Sequence, residues 1–131
     1  MARVLIVEDS PDNMKLFKAV LELRGHEVTG IQDGEHLKDA VEGANPDIIL
    51  MDIQLPGLDG YELLRSLHSS SGWQVPVVAL TAHAMVGDQQ RALEAGFEAY
   101  ITKPIDVMRF PEQIEGVLAR DDGPRIATEW S

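Results

Sequence analysis

The feature that most constrains the fold is the regular alternation of short apolar runs with stretches of helical spacing. Five runs have the length and the aliphatic content of buried strands, the second more weakly than the others: residues 4–7, 27–31, 48–51, 76–80 and 99–102. Helical spacing starts near residue 13 and stops at Gly25, and it returns over 35–42, 61–67, 87–95 and 107–119. This alternation predicts an α/β fold, a doubly wound parallel sheet in a three-layer sandwich.

Composition narrows the class of protein further. The 131 residues carry 11 Lys and Arg against 22 Asp and Glu, a net charge of −11, and no Cys. So acidic a chain disfavours direct DNA binding or binding to a membrane surface. The lack of Cys excludes disulfides, and together with the lack of a secretory signal it predicts a cytoplasmic protein. We expect one domain over residues 1–120 and a short, flexible tail over 121–131.

Polar side chains follow four of the five predicted strands. Glu8 and Asp9 come after the first strand, Asp52 after the third, Thr81 after the fourth and Lys103 after the fifth. In a flavodoxin-like (βα)5 fold with strand order 2-1-3-4-5, ligands bind beyond the carboxyl ends of the strands, where strands one and three are neighbours. The sequence therefore predicts one crevice that contains three carboxylates, a hydroxyl and an ammonium.

Each of these residues has an ordinary structural interpretation as a helix cap, a turn residue or a surface charge. Their concentration at one edge is harder to explain structurally, because three like charges repel each other and resist burial. A divalent cation relieves that repulsion, and carboxylate oxygens with water suit Mg²⁺, with Mn²⁺ as a second possibility. A site neutralised in this way is able to accept a phosphoryl group, for which an aspartate is a known nucleophile.

Four stretches of the chain resemble the receiver domain of two-component response regulators, over about residues 3–119. They are VLIVED at 4–9, DIILMDIQLPGLDG at 47–60, PVVALTA at 76–82 and YITKP at 100–104. The second stretch, with ALTAHAM at 79–85, is most similar to single-domain cell-division regulators and to receivers of hybrid histidine kinases.

The resemblance implies a role for each site residue. Asp52 is implied to be the phosphoacceptor, Asp9 a direct Mg²⁺ ligand, and Glu8 a ligand through a metal-bound water. A further ligand is the main-chain carbonyl of Gln54. Lys103 is implied to pair with the phosphoryl oxygens. The peptide bond between Lys103 and Pro104 is implied to be cis.

The resemblance also implies a conformational switch and residues that tune hydrolysis. Thr81 is expected to move toward the phosphoryl group while Tyr100 turns inward behind it, which alters the surface of the fourth helix, fifth strand and fifth helix. Gln54 and His83 occupy the positions that set how fast water removes the phosphoryl group. Because neither is a carboxylate, we expect slow to moderate autodephosphorylation.

The resulting prediction is a stand-alone phosphoacceptor protein, not an enzyme, that signals by binding a downstream protein. The donor is a sensor histidine kinase or a phosphotransfer protein, which docks on an apolar patch of Met14, Pro104 and Ile105; Met14 is placed off the apolar stripe of the first helix. An exposed, unused Met14 and a solvent-exposed His83 are equally acceptable interpretations.

Five alternatives are weighed at this point. In the first, the domain relays its phosphoryl group onward to a phosphotransfer histidine, and in the second it is the receiver of a hybrid kinase. A flavin-binding module needs a phosphate-cradling loop after the first strand, where this chain has Glu8 and Asp9. An aspartyl phosphatase usually carries a second acid where this chain has Gln54. A pseudo-receiver is disfavoured by the intact set of site residues.

Overall fold

Five parallel strands form a single sheet, and a helix follows each strand. The structure, a computed structural model, describes residues 2–34, 37–53, 60–68, 75–82 and 86–119. The elements are β1 Arg3–Val7, α1 Pro11–Glu22, β2 Glu27–Ile31, α2 Leu37–Ala44, β3 Ile48–Asp52, α3 Gly60–His68, β4 Val77–Thr81, α4 Asp88–Ala95, β5 Ala99–Thr102 and α5 Phe110–Leu118. The predicted tail over 121–131 lies outside the described residues.

The strand order is β2-β1-β3-β4-β5, which confirms the predicted doubly wound topology. β1 lies between β2 and β3, and Val7 is opposite Met51 where β1 and β3 pair. All four strand pairs are parallel, so the carboxyl ends of the five strands share one edge of the sheet.

The core is divided between the two faces of the sheet, which explains why the strands are apolar at successive positions. Alternate residues point to opposite faces. In β1, Val4 and Ile6 pack with Phe17 of α1 and Phe110 of α5. The intervening residues, Leu5 and Val7, face the side that carries α2, α3 and α4. The three-layer sandwich predicted from the sequence is therefore confirmed.

Two helices begin at places that the spacing of apolar residues did not predict. α1 begins at Pro11, two residues early, because the Ser10 hydroxyl caps it by accepting a hydrogen bond from the N–H of Asn13 at 3.3 Å. α5 begins at Phe110 and not at residue 107. The Asp106 carboxylate accepts a hydrogen bond from the N–H of Met108 at 3.0 Å, which forms a turn before the helix.

The orientation of α1 corrects the prediction about Met14. Leu16, which the apolar spacing placed on the stripe, is 39% exposed, whereas Met14 packs against the core. The reason lies in β2, where Gly30 has no side chain and Met14 fills the space. A Cβ atom on Gly30 would lie 2.6 Å from the sulfur of Met14.

A polar cluster fastens the amino-terminal edge of the sheet. His26 is buried, and its Nδ1 accepts a hydrogen bond from the N–H of Ala2 at 3.1 Å. The other ring nitrogen, Nε2, therefore carries the hydrogen and donates it to Glu115 of α5 at 2.9 Å. Arg24 forms an ion pair with the same carboxylate. The cluster ties together the start of the chain, the end of α1 and α5.

Replacing Glu115 tests this cluster through its pH dependence. The hydrogen bond from His26, with help from Arg24, lowers the pKa of Glu115 below 4.5 although burial opposes the shift. A carboxyl whose pKa is lower in the folded state stabilises the protein above its unfolded pKa, and that stability is lost as the pH falls through the folded pKa. We expect Glu115→Gln to lower the free energy of unfolding most at neutral pH and progressively less below about pH 4.5.

Urea unfolding of wild type and variant at a series of pH values measures this difference. Glu42→Gln removes an exposed carboxylate of α2 and is the matched control. A stability difference that does not change with pH would show that the Glu115 carboxylate owes its role to shape alone.

Candidate functional site

The predicted site residues meet at the carboxyl edge of the sheet. Glu8 and Asp9 follow β1 directly, and Asp52 is the last residue of the neighbouring strand β3. Thr81 ends β4, where it is opposite Thr102, the residue before Lys103. The chain reverses its winding direction between β1 and β3, which is where doubly wound sheets bind ligands.

Lys103 joins the two buried carboxylates of the site. Its ammonium Nζ donates to Glu8 Oε1 at 3.0 Å and to Asp52 Oδ2 at 2.9 Å. The main-chain N–H of Lys103 donates to the carbonyl of Thr81 at 2.7 Å, which fixes the start of the loop after β5. The peptide bond from Lys103 to Pro104 is cis, as expected.

Glu8 is fully buried, and hydrogen bonds hold both of its carboxylate oxygens. Oε1 accepts from Lys103, and Oε2 accepts from the N–H of Ser10 at 3.1 Å. Burial raises the pKa of Glu8, and the nearby Asp52 adds to the rise, while Ser10 and Lys103 oppose it. Burial acts to lower the pKa of Lys103, but the hydrogen bonds to Asp52 and Glu8 outweigh it, so the net pKa is raised. Lys103 is therefore a cation at neutral pH.

Three carboxylates of the site are placed to share one cation. One oxygen from each of Glu8, Asp9 and Asp52 lies within 4.8 Å of the other two. Glu8 and Asp52 are buried and Asp9 is exposed, so the cluster opens to solvent on one side. Lys103 supplies one positive charge against three negative ones, which leaves an excess that a divalent cation would neutralise. Hard oxygen donors with room for water fit Mg²⁺.

Thr81 and Tyr100 lie behind this cluster on β4 and β5. Both are buried, at 1% and 6% exposure. The hydroxyl of Tyr100 has no hydrogen-bond partner within the described parts of the chain. Burial raises the pKa of Tyr100, and Asp88 and Tyr61 add to the rise, whereas Thr81 opposes it.

Gly60 is a structural requirement of the site that the sequence analysis missed. It is the first residue of α3, and a Cβ atom there would lie 2.7 Å from the Cα of Ile53, which follows Asp52. The N–H of Ile53 also donates to the carbonyl of Leu80 at 3.0 Å. The start of α3 is therefore packed directly against the chain segment that presents Asp52. A glycine that closes a turn and opens a helix is the sequence signal that would have revealed it.

The structure describes only some of the residues predicted to tune hydrolysis or to dock the donor. Gln54 and His83 lie outside the described residues, so their proposed effect on hydrolysis stays a prediction. In the docking patch, Pro104 is exposed, and Met14 and Ile105 are partly buried. Met14 thus contributes to the core as well as to the surface.

The fold and the site together define a class of protein, a flavodoxin-like domain with an acidic, lysine-bridged cleft at the switch point. The sequence profile of the family described as "Response regulator receiver domain" matches residues 4–115. The chain therefore belongs to the response regulator receiver family, a family of two-component signalling proteins, and the resemblance seen in the sequence is confirmed.

The chain is similar to a curated response regulator and to solved receiver-domain structures. The polar-differentiation response regulator DivK of Brucella ovis is 45% identical over 116 residues, which cover 88% of this chain and 94% of DivK. Among solved structures, the BeF3-activated receiver domain of Klebsiella pneumoniae RstA has a TM-score of 0.82 and 30% identity, over 90% of this chain and 99% of that one. The receiver of the Pseudomonas aeruginosa sensor histidine kinase PA1611 holds a magnesium ion in its active-site cleft; it has a TM-score of 0.80 and 34% identity, over 91% of this chain and 98% of that one.

In the parts of the chain that the structure describes, no helix has both the length and the hydropathy to cross a bilayer.

Gly60→Ala tests whether the packing of α3 on Ile53 is as tight as the structure indicates. Adding a methyl group where backbone already lies at 2.7 Å should lower the free energy of unfolding by about 1–3 kcal/mol. Gly43→Ala is the control, because no atom lies within 4 Å of a Cβ there and it should stabilise α2 by about 0.5–1 kcal/mol. Urea unfolding measures both. Equal gains at the two positions would mean that Ile53 moves aside at little cost.

Proposed function

We propose that Asp52 accepts a phosphoryl group from a phosphohistidine donor and that the phosphorylated domain binds a downstream protein. One observation carries this proposal: the Asp52 carboxylate is buried at 3% exposure, paired with Lys103, and part of a three-carboxylate cluster. Burial and pairing of this kind limit the solvation of Asp52 and fix its direction, which favours attack on a bound phosphorus atom.

In the proposed step, a carboxylate oxygen of Asp52 forms a bond to phosphorus as the phosphorus–nitrogen bond of phosphohistidine breaks. The leaving imidazole keeps the electron pair and takes up a proton. The product is an aspartyl phosphate, and Lys103 stabilises it by donating hydrogen bonds to the phosphoryl oxygens. Because Lys103 is already held at the carboxylate, little reorganisation is needed during the reaction.

The donor set suits Mg²⁺, and we assign Asp9 and Asp52 as direct ligands, with Glu8 acting through water. This assignment agrees with the structure, since both oxygens of Glu8 are already hydrogen-bonded to other groups whereas Asp9 is exposed. The main-chain carbonyl of Gln54 completes the proposed set. When bound, the metal ion would offset the negative charge that the acceptor and the phosphoryl group bring together.

Thr81 and Tyr100 form the proposed switch. After phosphorylation, the Thr81 hydroxyl moves toward the phosphoryl group and donates a hydrogen bond to it. The Tyr100 side chain then turns inward behind Thr81. The result is a changed surface on α4, β5 and α5.

The output of the domain is proposed to be protein binding; its relative DivK is a polar-differentiation response regulator, and the match covers 94% of DivK. The likeness to the PA1611 receiver supports the alternative that the phosphoryl group passes on to a phosphotransfer histidine, since that transfer is the reverse of the same step. A cytoplasmic location and the absence of direct DNA contact remain part of the proposal.

Incubation with acetyl phosphate followed by intact-mass measurement tests the acceptor and its metal dependence. We expect the wild-type chain to gain one phosphoryl group in Mg²⁺ and none in chelator, and Asp52→Asn to gain none. Asp9→Asn should slow the reaction by about 100-fold or more, which is the typical effect of removing one charge-stabilising group from an enzyme active site. Asp12→Asn, which removes an exposed acid outside the cluster, is the control. A metal-independent adduct, or one that survives Asp52→Asn, would rule out the mechanism.

The donor is proposed to dock beside the site on Met14, Pro104 and Ile105. These residues are close in sequence to residues of the site: Met14 lies five residues after Asp9, and Pro104 and Ile105 follow Lys103 directly. Pro104 is exposed, and the partly buried Met14 and Ile105 both pack against the same core cluster. An apolar rim of this kind excludes water around a docked protein.

Met14→Gln separates docking from chemistry. We expect phosphorylation by a phosphohistidine-loaded donor protein that modifies the wild-type chain to slow by about fivefold or more, in line with the loss of an interface contact of over 1 kcal/mol. The rate with acetyl phosphate, which needs no docking surface, should stay the same. If both rates fall together, the substitution acts through the packing of Met14 on Gly30, and the docking role is wrong.

A further inference from the structure

Tyr61 connects the helices that follow the two loops of the site. It lies in the first turn of α3, directly after Gly60, and its ring is edge-on to Phe97 with centroids 5.6 Å apart at 84°. The guanidinium carbon of Arg91, on α4, lies 4.9 Å from the centroid of the Tyr61 ring. α3 is thus joined to α4 by a cation–π contact, and Phe97 supports the ring from behind.

α4 is packed shallowly against the rest of the domain. The helix is described in full and buries only Ala92. Its other residues are mostly polar, as the sequence DQQRALEA shows. Because most helical stability in proteins comes from packing of an apolar face, a helix that buries one alanine depends strongly on contacts at its margin. The contact between Arg91 and Tyr61 is such a contact.

The position of α4 is also linked to the proposed switch. β4 ends at Thr81 and α4 begins at Asp88, so the proposed movement of Thr81 occurs close in sequence to the start of this helix. Tyr100 lies on β5, the strand that α4 contacts, and it is buried beside Thr81. Thr81, Tyr100 and α4 are therefore neighbours in the fold.

We propose that Arg91 stacked on Tyr61 is a clamp that holds α4 in its unphosphorylated position and so opposes phosphorylation of Asp52. The inference rests on the function proposed above. A contact made in one conformation and lost in the other shifts the equilibrium by the free energy of that contact. For an exposed cation–π contact this corresponds to a factor of about two to five in an equilibrium constant.

Beryllofluoride, a mimic of the phosphoryl group, measures that equilibrium without turnover. We expect Arg91→Gln, titrated with beryllofluoride in Mg²⁺, to bind it about two- to fivefold more tightly than wild type. Tyr61→Leu, which keeps an apolar side chain against Phe97, should have a similar effect. Arg91→Lys keeps the cation and should bind nearly as wild type does. Arg65→Gln, at an exposed arginine of α3, is the matched control.

Amide hydrogen exchange without beryllofluoride supplies a second readout that does not depend on phosphorylation. The clamp predicts faster exchange in α4 for Arg91→Gln and Tyr61→Leu, with unchanged exchange in α1 and α5. In a double variant the effects should not add, because either substitution alone already removes the contact.

The outcomes separate this inference from the proposed function. If the wild-type chain binds beryllofluoride and Asp52→Asn does not, the acceptor site stands. Unchanged or weaker binding by Arg91→Gln then overturns the clamp alone, as does unchanged exchange in α4. If the wild-type chain fails to bind beryllofluoride in Mg²⁺, or Asp52→Asn binds it equally well, the acceptor proposal fails and the clamp fails with it.

Discussion

The ammonium of Lys103 is the interaction on which the rest of the site depends. Glu8 and Asp52 are almost completely buried, and two carboxylates at such depth are tolerated only with a counter-charge and hydrogen bonds. Lys103 provides both, since its Nζ reaches each carboxylate at about 3 Å. The topology makes this possible: β5 lies beside β4, and the long lysine side chain reaches past the end of β4 to Glu8, just after β1, and to Asp52, at the end of β3.

The two edges of the sheet have different physical characters. At the carboxyl edge, negative charges are gathered against their mutual repulsion, which costs stability and makes the site receptive to cations. At the amino edge, His26, Glu115 and Arg24 form complementary pairs, and the N–H of Arg3 donates to Asp47 at 2.9 Å. The elements are thus fastened at the edge away from the chemistry, and the unbalanced negative charge is gathered at the site edge.

Much of this arrangement follows from sequence rules, and the exceptions have physical causes. Buried parallel strands are apolar at every position, and their polar successors must share an edge, so Asp52, Thr81 and Lys103 were predictable as neighbours. Which side chains touch depends on side-chain length and direction. That Lys103 bridges Glu8 and Asp52 could be seen only in the structure, because it depends on the reach of the lysine side chain. Met14 and Leu16 were assigned the wrong way round because the space that Met14 fills is created by Gly30, a residue missing a side chain on another element. The late start of α5 came from a local hydrogen bond of Asp106 that competes with the helix.

The shallow seating of α4 has a consequence for how relatives of this chain diverge. Substitutions in a deeply buried helix must preserve volume, whereas the exposed positions of α4 other than Arg91 are less constrained by packing. Ala92 is its one buried residue, so these exposed positions can change their chemistry while the core of the sheet stays unchanged. A duplicated gene of this type therefore has a direct route to a new binding partner, through exposed residues of α4 that leave the contact of Arg91 with Tyr61 in place.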